Sequence, residues 1–514
     1  MRRFSFPSNR ILFLDVFLVL WLVNHAHLFD PPYWDGLVGV YSQGVWLSRN
    51  HFSYKGLMAQ PIYEKGGANV DLFYAFSPLF ALLSHVLNPP SVFLIFHLVV
   101  LLCASWTVVL FIAMVRARRP LFWPGLLWIL SAAADPIWSG QTASMYLEVP
   151  IAAVSGAVIY EIGQGQFGLA AAACVAAWFI KGTAILPALC CAVFAVAFGF
   201  SQRGLRNRKE YGRLALLLIP LPVMLLLKYW MVLVSTIVPW DLSDTATRFY
   251  HRAPALYPME TFELLILILG VAYWFKKRAR LQKLHSEPDR RLMGFLLIFV
   301  SVFWGSFLIY PIALPRYLCM ILFPMALLIA FLLREQPRRS MVLAGTILFI
   351  NLINQNGRLL PRLSAQDGRS GHELERSREY LLDLEANRRL CHMLEEKAFD
   401  NLLMTKWPFT QMLRLPELGY VTRPLPRVVE AGRYSITAGA IPLQTFLQIN
   451  PLPETLCLYA PNVFDLLWGP SLKPMEGEEV VLTDRSLDPP IVLYRRDWAR
   501  LRRAFLAAKR PADS

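Results

Sequence analysis

Charge is what this sequence lacks. Of 514 residues only 17% are Asp, Glu, Lys or Arg, while 56% are hydrophobic; a soluble domain carries about 25% charged residues. The deficit excludes an ordinary water-soluble enzyme, and the apolar content excludes a disordered chain. Seven cysteines in this length are too few for a disulfide-stapled scaffold. No two of them stand in a C-x-x-C pair, so the usual zinc spacing is missing. Also missing are a P-loop, a dinucleotide-binding glycine fingerprint, a G-x-S-x-G elbow and an H-E-x-x-H helix. No repeat of 20–50 residues and no two-fold internal similarity is visible.

What the sequence has instead is long apolar runs, with a mean hydropathy of +0.42. Runs of roughly 20 such residues have the length needed to cross a bilayer, so the chain reads as a polytopic α-helical membrane protein. Its net charge of +15 is concentrated in short loops between the runs. Arg203, Arg206, Arg208, Lys209 and Arg213 lie in one loop; Lys276, Lys277, Arg278, Arg280 and Lys283 lie in another. This is the positive-inside distribution, which orients helices. It predicts membrane lipids as surroundings and no nucleic acid as partner.

Sidedness follows from the same rule. Arg2, Arg3 and Arg10 precede an apolar run over 11–29 with no small-residue cleavage site after it. It reads as an uncleaved anchor with a cytoplasmic N-terminus. The polar stretch 30–71 then lies outside. If the next apolar segment, 72–87, also crossed, Arg116, Arg118 and Arg119 would fall outside, against the rule; it is expected to lie along the outer surface. Later runs alternate consistently up to 341–353, for about eleven crossings in all. The expected organisation is therefore a transmembrane domain over 1–353, with an external catalytic loop at 30–91, followed by an extracytoplasmic domain over 354–514. In that second part, 374–399 reads as an amphipathic helix and 401–407, 455–459, 480–483 and 491–494 as strands between Pro- and Gly-rich turns, a small α/β domain. The basic tail 495–510, with Trp498, Leu501 and Phe505, reads as a closing surface helix. Cys391 and Cys457 would be placed to pair if this part is extracytoplasmic; their pairing stays open.

Ionisable groups at the ends of apolar runs are the candidate site, because a charge near hydrocarbon is costly and marks a site or a pairing partner. Asp35 follows the first run in Asp30-Pro31-Pro32-Tyr33-Trp34-Asp35-Gly36. A carboxylate among aromatics suits a general base; an Asp before Gly or Pro, as Asp35 and Asp30 both are, equally suits a turn. Lys181 closes one run and Arg316 opens another on the same side, and a snorkelling side chain explains either one alone. Glu148 stands about two turns into a run that begins near Gln141. Lys228 lies deeper, without an obvious partner. The loop 240–258 adds Asp241, Asp244, Arg248, His251 and Arg252, for which a solvated charged loop is the plain alternative. Together these groups set cations and one or two carboxylates at headgroup depth on the outer face. That suits a lipid-phosphate substrate: cations meet the anion and a carboxylate deprotonates the nucleophile.

Four landmarks give the chain a family resemblance. One is Asp35 heading a long external loop with Gly66-Gly67 and Phe73-Tyr74-Ala75-Phe76-Ser77-Pro78. The others are Gly140-Gln141 leading to Glu148-Val149-Pro150, Phe179-Ile180-Lys181-Gly182-Thr183-Ala184, and Pro315-Arg316-Tyr317. In order and spacing they resemble the GT-C superfamily of polyprenyl-phosphate-sugar glycosyltransferases, in particular bacterial protein O-mannosyltransferases and lipid A aminoarabinose transferases. The resemblance covers roughly residues 10–335. It implies an inverting transfer of a hexose or pentose from a polyprenyl-phosphate donor to a hydroxyl of an envelope lipid, glycan or protein, on the outer face of the cytoplasmic (inner) membrane. By it Asp35 is the catalytic base, with Asp30 as the alternative, and Lys181 and Arg316 bind the donor phosphate. Glu148, Gln141, His251 and Arg252 join Asp30 as substrate-binding residues. A divalent metal is compatible with the reaction, but no metal ligand is identified. The chain departs from the family pattern at Asp35-Gly36, where an Asp-Glu doublet is common, and lacks the Lys-Pro-Pro-Leu element of the aminoarabinose transferases. The Gly-Gln element fits mycobacterial-type polyprenol-phosphate mannosyltransferases almost as well. Two other classes remain open. A secondary transporter or flippase would favour two related halves, and a non-catalytic scaffold with a sensor-like external domain would tolerate the missing carboxylate.

Overall fold

Apolar runs form helices here because hydrocarbon offers no water to the backbone, and a helix satisfies its own N–H and C=O groups. The computed structural model describes residues 6–33, 36–53, 75–118, 121–201, 208–234, 258–276, 286–309, 315–355, 378, 380–398, 400–406, 408–430, 441–442, 455–459, 478–484 and 491–496. The first helix, α1 (Phe6–Asn24), leaves Ile11, Leu14, Leu18, Leu22 and Val23 exposed, the apolar surface expected of a helix facing lipid. After it come α2 (Ser42–Arg49), entered through a π turn at Leu37–Tyr41, and α3 (Phe76–Ser84). At nine residues α3 is about 14 Å long.

The bundle is built on two central helices. One is α4 (Pro89–Arg116), whose start is set by Asn88: its side chain accepts from the Ser91 N–H at 3.0 Å, and Pro occupies the first turn where no N–H is needed. Next are α5 (Phe122–Ala133), α6 (Pro136–Thr142), α7 (Glu148–Gln164), α8 (Phe167–Trp178) and α9 (Ile185–Ser201). Then follow α10 (Arg208–Ala215), α11 (Pro220–Val234), α12 (Pro258–Lys276) and α13 (Glu287–Ile309). The second central helix is α14 (Cys319–Leu332), in which every residue is buried; Phe323 packs edge-on to Trp138, with ring centres 4.7 Å apart. The last of the bundle is α15 (Pro337–Ile353). Among the described residues three helical stretches, Asn9–His27, Pro89–Arg116 and Glu287–Phe307, are long and apolar enough to cross a membrane.

The two ends of the bundle differ in charge chemistry. At one end Arg118, just past α4, donates to Asp289 in the first turn of α13 (Nε–Oδ1 2.5 Å) and to the Met114 carbonyl, with Arg334 Nη1 3.8 Å from the same carboxylate. At the other end of α14 lies Arg316. The two ends of this helix are about 21 Å apart.

Beyond the bundle, α16 (Tyr380–Lys397) and α17 (Phe409–Arg414) pack with a six-stranded mixed sheet in the order β3-β2-β1-β4-β6-β5. Its strands are β1 (Leu402–Thr405), β2 (Val428–Glu430), β3 (Ile441–Pro442), β4 (Thr455–Tyr459), β5 (Glu479–Asp484) and β6 (Ile491–Arg496). Pairing is parallel from β3 to β4 and antiparallel across β4–β6–β5. Four strands fall at the apolar runs read from sequence. The two that were not read, β2 and β3, are two or three residues long, too short for an alternating pattern. Cys391 and Cys457 are both buried free thiols; burial pushes the Cys457 thiol up to about 12.

This C-terminal unit sits on the end of the bundle that carries Arg316. Arg378 donates to the Val23 carbonyl and to Asn24 Oδ1 (3.0 and 2.6 Å), and Tyr380 donates to the Gly140 carbonyl at 3.0 Å. Tyr420 donates to the Pro32 carbonyl at 2.9 Å, Asn387 donates to the Tyr33 hydroxyl at 2.7 Å, and Arg49 meets Glu417 through two hydrogen bonds.

Candidate functional site

Three interruptions in the helical bundle deliver three charges to one place. Glu148 is the first residue of α7, where the backbone dipoles at a helix N-terminus favour a negative charge. This corrects the expectation of a continuous helix running from Gln141. Asp135 caps a separate α6 by accepting from the Ile137 N–H at 2.8 Å, and the chain breaks over 143–147 before α7 begins. Lys181 lies in extended backbone between α8 and the 3-10 turn Gly182–Ala184. Arg316 belongs to the 3-10 turn Pro315–Leu318 that leads into α14.

Lys181 Nζ donates to Glu148 Oε1, and Arg316 Nε lies 3.0 Å from the same oxygen. The Glu148 and Arg316 side chains are 1% and 0% exposed, and that of Lys181 17%, so only the lysine is open to an incoming group. Aromatic faces complete the seat. The Arg316 guanidinium stands 4.8 Å from the centre of the Tyr146 ring, and Arg316 and Lys181 each stand 5.2 Å from Tyr317. Such faces attract cations without neutralising them. Glu148 Oε2 is buried with no hydrogen-bond partner among the described residues. The Glu148 field extends to Tyr41: burial, and next the carboxylate, hold that phenol well above its usual value, so it stays protonated and donates to the Met145 carbonyl at 2.6 Å. Removing ions from water costs several kcal/mol each; a cluster of this kind is chemically suited to receive an anion.

Asp30 is placed next door. Its Oδ2 meets His27 Nδ1 at 2.8 Å, and its carbonyl meets the buried His97 Nε2 at 3.1 Å. Asp30, Tyr33, His97, Tyr146 and Tyr380 share the lining of one small cavity, and Tyr146 forms its wall toward Arg316. Gln141 is buried on α6, and its carbonyl accepts from Ser144 Oγ at 3.0 Å. Asp35, His251 and Arg252 lie outside the described residues, as do Asp241, Asp244 and Arg248. Lys228 falls on α11. Among the described residues no three His, Cys, Asp or Glu side chains gather to hold a metal.

Sequence reasoning missed Tyr146, Tyr317, His27 and His97. Two signals were available: Tyr317 directly follows Arg316, and His97 is an ionisable residue inside the apolar run of α4.

No protein-family model and no curated protein matches the sequence. Among solved structures, the crystal structure of ArnT from Cupriavidus metallidurans bound to undecaprenyl phosphate is similar to the chain, with 16% identity and a TM-score of 0.50, over 96% of this chain and 99% of that one. The chain has the fold of ArnT. Apo ArnT from the same organism also matches, at 16% identity and a TM-score of 0.48 over 95% and 98% of the two chains. The single-particle cryo-EM structure of the arabinosyltransferase EmbB from Mycobacterium smegmatis matches at 13% and 0.39, over 70% of this chain and 39% of its own. The likeness to ArnT spans both the helical bundle and the C-terminal unit.

Proposed function

We propose that the protein is a polyprenyl-phosphate-dependent glycosyltransferase that transfers a hexose or pentose, with inversion, to a hydroxyl of an envelope lipid, glycan or protein. The reaction takes place on the outer face of the cytoplasmic membrane. The chain crosses the bilayer about eleven times, with its N-terminus in the cytoplasm, the catalytic loop 30–91 outside, and residues 354–514 forming an extracytoplasmic α/β domain. One observation carries the reading: Lys181 and Arg316, 135 positions apart in sequence, converge on one Glu148 oxygen beside the Asp30 cavity.

Asp35 takes the proton of the acceptor hydroxyl, whose oxygen attacks the anomeric carbon as the sugar–phosphate bond breaks. The phosphate departs with the bonding pair as a stable anion, so no general acid is needed. Lys181 and Arg316 neutralise the charge that develops on it, an effect strongest in a site closed to water. Asp30, Glu148, Gln141, His251 and Arg252 line the substrates. The likeness to ArnT, solved with undecaprenyl phosphate, supports this donor class.

The test is Asp35→Asn in the full-length protein. Turnover is expected to fall by about a thousandfold or more while donor affinity holds. Mass spectrometry of envelope glycolipids and glycoproteins, with and without the chain, should then show one defined hexose or pentose missing. An unchanged profile and an indifferent Asp35→Asn variant would together overturn the reading.

A further inference from the structure

Glu148 raises a question that the transfer reaction alone leaves unanswered. Two cations positioned for a phosphate are already partly neutralised by a carboxylate that is itself 1% exposed and is bound to both of them. Desolvating a third charge is costly, and the two cations alone would hold an anion more strongly. Resting on the transferase reading, we propose that Glu148 is a specificity-determining residue that sets the preference of the anion site between sugar-donor and spent lipid phosphate.

The donor is a phosphodiester and carries one negative charge. Transfer breaks the bond from the anomeric carbon to phosphate oxygen, and the leaving phosphate keeps the electron pair while the acceptor proton passes to the base. The product is a monoester, whose charge at pH 7 is about −1.5 to −2. Coulomb energy is linear in each charge. Every unit of positive charge near the site therefore favours the product over the donor by up to twofold in binding free energy. An unmodified pair of cations would hold the product most tightly, and release would limit turnover.

Glu148 opposes this. Its carboxylate repels the dianion about twice as strongly as the monoanion, whatever other charges surround the site, because the contributions add. It also holds Lys181 and Arg316 at one point, so that they act together. Asp135, the other buried carboxylate whose field reaches Cys319 at the start of α14, accepts from the N–H of Ile137 at the start of α6. Glu148 touches both phosphate-binding cations directly.

The experiment compares two probes on the full-length protein in detergent: undecaprenyl phosphate and its methyl ester. Glu148→Gln is expected to tighten the methyl ester by about tenfold and the monoester by about the square of that factor at pH 8.5, where the monoester is a full dianion. Turnover should fall through product inhibition, with kcat lowered and the donor KM not raised. The double variant Glu148→Gln/Lys181→Gln, which loses one charge of each sign, should return the ratio of the two affinities to that of the wild type. Should Glu148→Gln fail to fold, this double variant alone decides: a ratio far from the wild-type value rejects the inference. Equal tightening of both probes by Glu148→Gln also rejects it and leaves the transferase reading intact. If the wild type binds neither probe, the transferase reading itself fails.

Discussion

At the residue scale, the decisive fact is that buried charges here are shared. Arg316 has no exposure and Glu148 almost none. Replacing Arg316 by Ala leaves Lys181 as the carboxylate's ion-pair partner among the described residues, and breaking a buried pair costs about 3–5 kcal/mol. The variant should unfold at a clearly lower temperature in detergent, whereas Tyr317→Leu, which removes only a cation–π face, should cost about 1 kcal/mol. Thermal unfolding of the two variants side by side checks the order.

A second residue-scale case lies outside the membrane part. Glu395 is raised by burial but lowered further by the Thr422 hydroxyl and the N–H groups of Thr422 and Arg423, two of them at 3.0 and 2.8 Å, so its carboxyl is held below the usual range. A depressed folded-state value means that its stabilisation is complete above the ordinary Glu value and disappears as pH falls through the lower, folded value. Glu395→Gln is therefore expected to destabilise the protein by about 2 kcal/mol near pH 7. The gap to wild type should close as pH drops below about 4, a trend that melting curves across pH would reveal.

At the scale of elements, junctions matter more than the helices they join. Gly419 has φ +78°, and a Cβ there would stand 2.5 Å from the Phe93 ring of α4. Gly419→Ala combines left-handed strain of about 1–2 kcal/mol with that overlap, so the turn before β2 should lift away from α4. A fall in melting temperature, absent for alanine at the uncrowded Gly345, is the expected result. At the opposite end of the bundle, Asp289→Asn should cost about 3 kcal/mol by leaving Arg118 with a neutral partner.

Helices and strands long enough to show a pattern were legible in the sequence: α16 falls within the amphipathic run 374–399, and β1, β4, β5 and β6 fall at the four apolar runs. The break at 143–147 was not. The run that begins near Gln141 reads as continuous through Glu148 because periodicity registers polarity and not backbone direction, and the cap that starts α6 is a single Asp-Pro step. Of the candidate site, Glu148, Lys181 and Arg316 were each readable as charges at run ends. Their meeting on one oxygen was not, because three separate chain breaks must coincide in space.

At the scale of the whole molecule, the C-terminal unit acts on the chain segment that precedes Asp35. Tyr420 and Asn387 hold Pro32 and Tyr33 by hydrogen bonds of 2.9 and 2.7 Å, and Tyr380 stacks on Tyr33 with ring centres 6.4 Å apart. Orientation contributes heavily to catalysis. Tyr420→Phe combined with Asn387→Ala should therefore lower kcat by about tenfold or more, with the affinity for undecaprenyl phosphate unchanged. Equal loss of both would assign the unit a role in donor binding instead. The Arg49–Glu417 pair at the same boundary is partly exposed, so cutting it should change stability by no more than about 1 kcal/mol.

The sequence by itself determined the solvent of this protein and the ends at which its charges lie, because hydropathy and loop charge act locally and sum along the chain. Only the tertiary structure decided that a carboxylate stands between the two cations and that the C-terminal unit seats the loop beside them. Both depend on distances between residues more than a hundred positions apart, such as Glu148 and Arg316 or Pro32 and Tyr420, and no local pattern encodes these distances.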